Sequence, residues 1–233
     1  MSDPFGPFSK NWLVWRIDRR HVASVAHLAY GDVLDIGCGE QPLRPLFQGR
    51  VDRIWGIDHP RTLHPDEKID VFGTALCLPF RSQSFDAALC FQVLEHVPEP
   101  LELLREARRV LKPGGHLILT APHIWNLHEQ PHDYFRYTLY GLEHLFRRAG
   151  FEVTEIRPMA GYFVTASARF CYFLAHFDRW GLQVIVKPAY LVVQAIGGLL
   201  DRIYCDTTET WNYLAVGRVP PASVARMSRS IAP

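Results

Sequence analysis

Asp35, Gly37 and Gly39 lie in the run Val33 to Pro42, V-L-D-I-G-C-G-E-Q-P, where an apolar stretch carrying one carboxylate meets a Gly-x-Gly turn. Buried parallel strands end this way where a ligand must approach the backbone, because glycine has no Cβ to hold it off. Asp58 closes a second short apolar run, R-I-W-G-I-D, twenty-one residues after Gly37. A carboxylate at that offset can accept both hydroxyls of a ribose. The first half of the chain therefore reads as a nucleoside-binding sheet.

The residues next to the turn narrow the choice of nucleoside. A dinucleotide site needs a third glycine at position 42, so that a helix N-terminus can receive a pyrophosphate, and position 42 is Pro42. Glu40 would put a carboxylate near those phosphates and oppose them. A phosphate-free nucleoside carrying positive charge fits better. S-adenosylmethionine has an ammonium and a sulfonium, and Asp35 stands at the mouth of the loop to meet cationic groups.

A second polar cluster, H-I-W-N-L-H-E-Q-P-H-D-Y-F-R-Y-T from His123 to Thr138, follows the fifth expected strand. It falls beyond the carboxyl end of the sheet, where open α/β folds place ligands. His132 and Asp133 are candidates for a general base and its neighbour, and His96 is a second base candidate. Loop polar residues at such a mouth commonly contact the ligand, so the cluster is expected on the acceptor side. His123, His128 and His132 are spaced five and four apart on a segment with Pro122 and Pro131, which does not put three on one helical face. No metal is expected.

These residues need a scaffold. Residues 9–28 read as an amphipathic helix, with Trp12, Trp15, Val22 and Val25 on one face and Arg16, Arg19 and Arg20 on the other. It either packs on the domain or lids the ligand. Strands are expected at V-L-D-I-G, R-I-W-G-I-D, near Val71 and Phe72, at Ala87 to Phe91, at H-L-I-L-T-A-P, at F-E-V-T-E-I-R-P and finally at W-N-Y-L-A-V-G-R-V. A helix is expected over Pro100 to Leu111, stopped at L-K-P-G-G by Pro113 and the Gly114–Gly115 turn, and another over Leu139 to Ala149, ended by Gly150. Strands alternating with helices of this length imply a mostly parallel sheet covered on both faces. The aromatic and aliphatic stretch 161–210 reads as a helical insertion. Its apolar centre, Ala189 to Leu200, is too short to span a bilayer. It is open to three uses: a packing cap, a wall of an apolar acceptor pocket, or a surface lying on a membrane with Arg179, Lys187 and Arg202 near headgroups. The expected layout is a lead-in over 1–29, a domain over 30–219 and a fraying tail over 220–233.

The motif order D-I-G-C-G, G-I-D, L-P-F then S-F-D, V-L-E-H-V and L-K-P-G-G resembles the class I S-adenosylmethionine-dependent methyltransferases, most of all the broad small-molecule group often called type 11. The likeness covers about residues 30–155. It implies a Rossmann-like α/β fold: a seven-stranded, mostly parallel sheet, helices on both faces, the last strand antiparallel, and the apolar helical insertion just before it. It implies that Asp35, Gly37 and Gly39, with Cys38 between the glycines, hold the methionine end of the cofactor. Asp58 would take the ribose hydroxyls with His59 beside the adenine. Thr74, Ala75 and Leu76 would lie at the adenine edge, and Phe91 and Gln92 near the reactive end. Two positions depart from the pattern. Gln41 replaces the third motif glycine, and Thr74 stands where an acid often accepts from the adenine amino group. Methyltransferases with a similar H-D-Y-F-R-Y-T run often act in surface-glycan or lipid-associated pathways, so the resemblance implies a small or lipid-linked acceptor, methylated at oxygen.

Composition sets outer bounds. The 233 residues are 48% hydrophobic, enough for a core, and carry 25 basic against 24 acidic side chains. A net charge of +1 supplies no field for nucleic acid. Five scattered cysteines without a C-x-x-C pair, and no long apolar run behind a basic start, suit a cytoplasmic protein, with possible peripheral contact at the inner membrane face through 161–204. Two other readings stay open here. An NAD-dependent oxidoreductase is opposed by Pro42 and by the lack of a Tyr-x-x-x-Lys pair in the helices. A non-catalytic cofactor-binding subunit is left open by Gln41 and Thr74.

Overall fold

The computed structural model describes residues 5–62 and 65–221. The expected tail beyond Pro221 lies outside them. A helix α1 (Trp12–Val25) leads into seven strands: β1 (Gly31–Ile36), β2 (Val51–Asp58), β3 (Val71–Phe72), β4 (Phe85–Phe91), β5 (Leu111–Pro122), β6 (Glu152–Pro158) and β7 (Asn212–Arg218). Between them run α2 (Pro100–Val110), α3 (Leu139–Ala149), α4 (Tyr162–Leu174) and α5 (Gln183–Ile203). The sheet order is β3-β2-β1-β4-β5-β7-β6, with β7 antiparallel to both neighbours. This is the expected Rossmann-like architecture.

The order has a mechanical consequence. The chain leaves β1 for β2 on one side and later returns to place β4 on the other. The connections diverge there and leave a crevice at the carboxyl ends of β1 and β4. β1 sits between two parallel neighbours with its last four residues buried, which explains its nearly unbroken apolar text. One face of the sheet packs α2 and α3 through Leu103, Leu104, Ala107, Leu142 and Phe146. The other packs α1 through Val22 and Val25. α3 starts where the Thr138 hydroxyl accepts the Gly141 N–H at 3.0 Å and stops at Gly150, whose φ of +87° suits glycine.

Two expectations about elements are corrected. α2 ends at Val110, and L-K-P-G-G belongs to β5, with Leu111 already paired to Phe85. Gly114 takes φ +85° inside that strand, beside a register shift in the β4–β5 ladder, so the glycines serve a bend in an extended chain, not a connecting turn. The apolar centre of the insertion belongs to a 21-residue helix that begins six residues earlier, at Gln183, and includes Pro188. By length and composition alone α5 could cross a membrane, and only 22% of its most apolar window is buried. The shorter estimate failed because Lys187 and Pro188 interrupt the apolar run without ending the helix.

The insertion packs on the lead-in. Gln194 of α5 is fully buried; its Oε1 accepts the Leu13 N–H at 2.8 Å, and its Nε2 donates to the Ser9 carbonyl at 3.0 Å. The Tyr172 hydroxyl of α4 donates to Asn11 Oδ1 at 2.8 Å. One buried amide thus ties the start of α1 to α5. Replacing Gln194 with Leu strands the Leu13 N–H and is expected to cost about 1–3 kcal/mol. Denaturant unfolding reads the loss, and hydrogen exchange should show faster opening of the Leu13 amide; an unchanged Leu13 rate would refute this anchoring.

Candidate functional site

The crevice opens into a cavity of about 800 Å³. Its inner half is built by the turns after β1 and β2. Gly37 and Gly39 have φ of +66° and +45°. A Cβ on Gly37 would come within 2.4 Å of Val93, so both the conformation and the space demand glycine. Gln41 keeps the left-handed conformation at φ +49° despite its side chain, which it buries under the loop while Oε1 accepts from Arg44 at 2.6 Å. The departure from glycine leaves the loop's path intact, at the cost of about 1–2 kcal/mol of backbone strain.

Two carboxylates face this loop. Asp35 is buried, and burial pushes its pKa from 3.8 to about 8; nearby Asp58 adds to the rise, while Arg44 opposes it. Asp58 is held by two backbone donors, the Gly39 N–H at 2.8 Å and the His59 N–H at 2.6 Å. His59, Thr74, Ala75, Leu76, Phe91 and Gln92 all line the same cavity. The Thr74 hydroxyl accepts the Leu76 N–H at 3.2 Å, shaping that corner. Gln92, at φ +56°, donates through Nε2 to Thr120 Oγ1 at 3.0 Å and Asn212 Oδ1 at 3.1 Å. Cys38 is buried with its thiol pushed up to about 12, so it remains protonated and inert.

The outer half is assembled from parts far apart in sequence. α1 contributes Trp15, stacked on Phe5 with ring centroids 4.1 Å apart, and Asp18. Asp18 is raised from 3.8 to about 8 by burial, with Asn212 drawing it partly back. Opposite lie His96, Glu129, His132 and Tyr134. The loop after β5 clamps onto the turn Leu94–His96. The Tyr134 N–H donates to the Glu95 carbonyl at 2.8 Å, and the Tyr137 hydroxyl donates to the Leu94 carbonyl at 2.7 Å.

The expected base pair does not form as such. Asp133 turns away from His132: its carboxylate takes a bidentate pair from Arg136 at 2.6 and 2.8 Å and also accepts the His128 N–H at 2.9 Å. Arg136 holds its pKa down at about 2. His132 instead approaches the Tyr134 hydroxyl at 3.1 Å, and its carbonyl lies 2.6 Å from His96 Nδ1. His123 packs on Tyr213, away from the cavity. Among the described residues none of α4 or α5 lines the cavity; the insertion packs instead on α1 and, through Tyr172, on Trp125 of the loop after β5, with ring centroids 5.0 Å apart.

Sequence reasoning missed Asp18 and Glu95. Asp18 is one acid in a basic helix face, and only the docking of α1 turns it inward. Glu95 reads as an ordinary helix-start acid, yet it is fully buried and desolvation raises its pKa to about 8. Its apolar neighbours Leu94 and Val97 were the available signal.

A methyltransferase-domain family model matches residues 34–119. The chain is 30% identical over 210 residues to a ubiquinone biosynthesis O-methyltransferase of Alkalilimnicola ehrlichii, covering 82% of this chain and 74% of that protein. A ubiquinone biosynthesis O-methyltransferase of Xanthomonas oryzae pv. oryzae is 32% identical over 112 residues, and there the match spans about half of the relative, 47%. Among solved structures, the [4+2]-cyclase SpnF superposes with a TM-score of 0.60 at 24% identity, over 88% of this chain and 80% of that one. It shares the fold.

The raised acids, buried Asp35 and half-buried Asp18, predict a pH signature of the ligand-free protein. A carboxyl whose folded pKa exceeds its unfolded value keeps a proton that the unfolded chain has lost. Stability from Asp18 and Asp35 is therefore present below about pH 4 and lost as pH rises towards 8. The melting temperature should fall from pH 6 to pH 8, and Asp35→Asn should flatten that fall and raise stability at pH 8 by about 0.5–2 kcal/mol. A melting temperature that rises over this interval in wild type would contradict the assignment.

Proposed function

The chain belongs to the class I S-adenosylmethionine-dependent methyltransferases, and on that premise we propose that it transfers the methyl group to a hydroxyl of a small or lipid-linked acceptor held in the outer half of the cavity. One observation carries the reading: a single cavity joins an acidic, glycine-walled inner half to an aromatic and histidine-rich outer half.

The inner half suits the cofactor. Asp35 has no cation close enough to keep it ionised at its ordinary pKa, and the ammonium of S-adenosylmethionine supplies one. Asp58 spends two lone pairs on backbone N–H groups and keeps others for ribose hydroxyls. His59, Thr74, Ala75 and Leu76 flank the adenine, and Gly37, Cys38 and Gly39 admit the methionine end. Phe91 and Gln92 border the reactive end, where Gln92 is locked by Thr120 and Asn212. A backbone strained at Gln41 and Gln92 on opposite sides of one crevice fits a preorganised ligand site.

The bound cofactor supplies a methyl on a good leaving group. What remains for the protein is to align an acceptor oxygen and remove its proton. We assign the base to His132, which lines the cavity and whose ring carries no ion pair among the described residues. Asp133 is a positioning residue: with Arg136 it shapes the loop that carries His132. Trp15 and Phe5 offer an apolar face to the acceptor body. The relatives named for ubiquinone biosynthesis support methylation at oxygen and an acceptor with a lipid tail. Exposed Val184, Ile185, Val192, Ile196, Leu199 and Ile203 on α5 support peripheral contact of the insertion with a membrane.

Asp58→Ala is expected to weaken S-adenosylhomocysteine binding by about 1.5–3 kcal/mol in calorimetry, the scale of hydrogen bonds to a charged group; full affinity would remove Asp58 from the ribose. His132→Ala should slow turnover and spare cofactor affinity, and a parallel loss of both would sink the acceptor assignment. The acceptor class is read by comparing aqueous and lipid extracts, incubated with the protein and labelled S-adenosylmethionine, for products carrying one added methyl. Label confined to the aqueous extract would exclude the lipid-linked acceptor.

A further inference from the structure

Beneath the acceptor half, two imidazoles face each other through the same kind of nitrogen. His96 Nε2 and His128 Nε2 are 3.2 Å apart. The opposite nitrogens explain why this is unusual. His96 Nδ1 meets the His132 carbonyl at 2.6 Å, and His128 Nδ1 meets the Asn126 carbonyl at 3.2 Å and the Asp133 carboxylate at 3.4 Å. A carbonyl or carboxylate oxygen accepts only, so both Nδ1 atoms carry the proton in the neutral rings. Both Nε2 atoms then present lone pairs to one another. Neither can donate to the other.

A third lone-pair source points to the same spot. Glu95 is 0% exposed, and among the described residues neither carboxyl oxygen has a hydrogen-bond partner. Its Oε1 lies 3.8 Å from His96 Nε2 and 3.9 Å from His128 Nε2. The two Nε2 lone pairs repel unless a positive charge sits between them, and the Glu95 carboxyl is placed to supply a third ligand atom to that charge. Ligand atoms about 2.0–2.1 Å from a tetrahedral zinc ion are about 3.3 Å apart. The nitrogen–nitrogen edge matches that spacing, and the two edges to Glu95 exceed it by an amount a small side-chain rotation removes.

We propose that Glu95, His96 and His128 form a binding site for a divalent transition-metal cation of the zinc class. Two imidazoles and one carboxylate favour such ions over magnesium or calcium, which prefer oxygen alone. Asp133 and Asn126 orient His128, and the His132 carbonyl orients His96, the hydrogen-bonded support that metal-bound histidines use. Three protein ligands leave a position open, as in catalytic and not structural sites. His96 and Glu129 line the cavity, and Glu129 Oε2 is 3.7 Å from His96 Nε2, so the open position faces the acceptor side. An ion there would hold an acceptor oxygen; that consequence rests on the proposed function, while the binding site itself does not. The sequence spacing argued against a metal because it considered only histidines of one segment. The ligands come from two segments, and one of them is a carboxylate.

The test uses the full chain, stripped with chelator and free of cofactor. Titration with Co²⁺ should saturate at one equivalent, with visible bands of a four- or five-coordinate nitrogen–oxygen site. Zn²⁺ should displace it. His128→Ala should lower affinity by at least about 100-fold, more than losing a residue that merely orients a ligand, while His144→Ala on α3 should leave it unchanged. If His128→Ala fails to fold, nitrogen-detected spectra of the unmutated protein decide: Zn²⁺ should shift the Nε2 signals of two histidines and leave their Nδ1 atoms protonated. The absence of stoichiometric binding, undiminished binding in a folded His96→Ala/His128→Ala variant, or histidine signals that ignore Zn²⁺ would overturn the site. Loss of metal binding with normal S-adenosylhomocysteine affinity would leave the cofactor assignment standing, which keeps the two failures distinct.

Discussion

A carboxylate buried without a matching cation is the constraint around which this molecule is arranged. Asp35 sits near the end of β1, 6% exposed, with Asp58 near enough to raise its pKa further. An apolar residue there would give a more stable apo-protein. The acid is tolerated because the sheet around it is over-determined: β1 is paired on both sides and buried on both faces. The same rigidity lets Gln41 and Gln92 hold left-handed backbone on either side of the crevice. Stability resides in the sheet, and its cost is concentrated at the crevice beyond β1 and β4.

The outer half of the cavity follows a different logic. Its parts come from α1, from the turn after β4 and from the loop after β5, and each is held by hydrogen bonds to backbone. Arg136 spans that loop, donating to the Asn126 carbonyl at 2.8 Å and pairing with Asp133. The clamp onto Leu94–His96 then brings Glu95, His96 and His128 together. This half is thus as preorganised as the cofactor half, although it is made of irregular chain. α1 closes the opposite side and is itself anchored by the insertion through Gln194. The insertion therefore reaches the chemistry indirectly, by fixing the helix that carries Trp15 and Asp18.

Much of the cofactor half was legible from residue order. Glycines at a strand end, a carboxylate twenty-one residues on and a proline in place of the third glycine are local facts, and local facts survive folding. They led to Asp35, Gly37, Gly39 and Asp58, and the alternation of strands and helices led to the sheet. Boundaries were less legible. L-K-P-G-G reads as a stop because Pro113 and two glycines break helices, yet pairing with β4 keeps the chain extended through it. Lys187 and Pro188 read as an interruption, yet the helix passes over them.

By itself, then, the amino-acid order determined the fold and the S-adenosylmethionine-dependent family, since the motifs that carry both depend on spacing within one or two adjacent elements. Tertiary structure alone decided the partners of the polar residues in the outer half of the cavity. Asp133 sits next to His132 in the chain and belongs to Arg136 and His128 in space. Asp18 meets the cavity only because α1 docks across it, and Glu95 meets His128 only because a loop thirty residues later folds back over its turn. Contacts between distant segments depend on how rigid elements pack, and no periodicity along the chain encodes that.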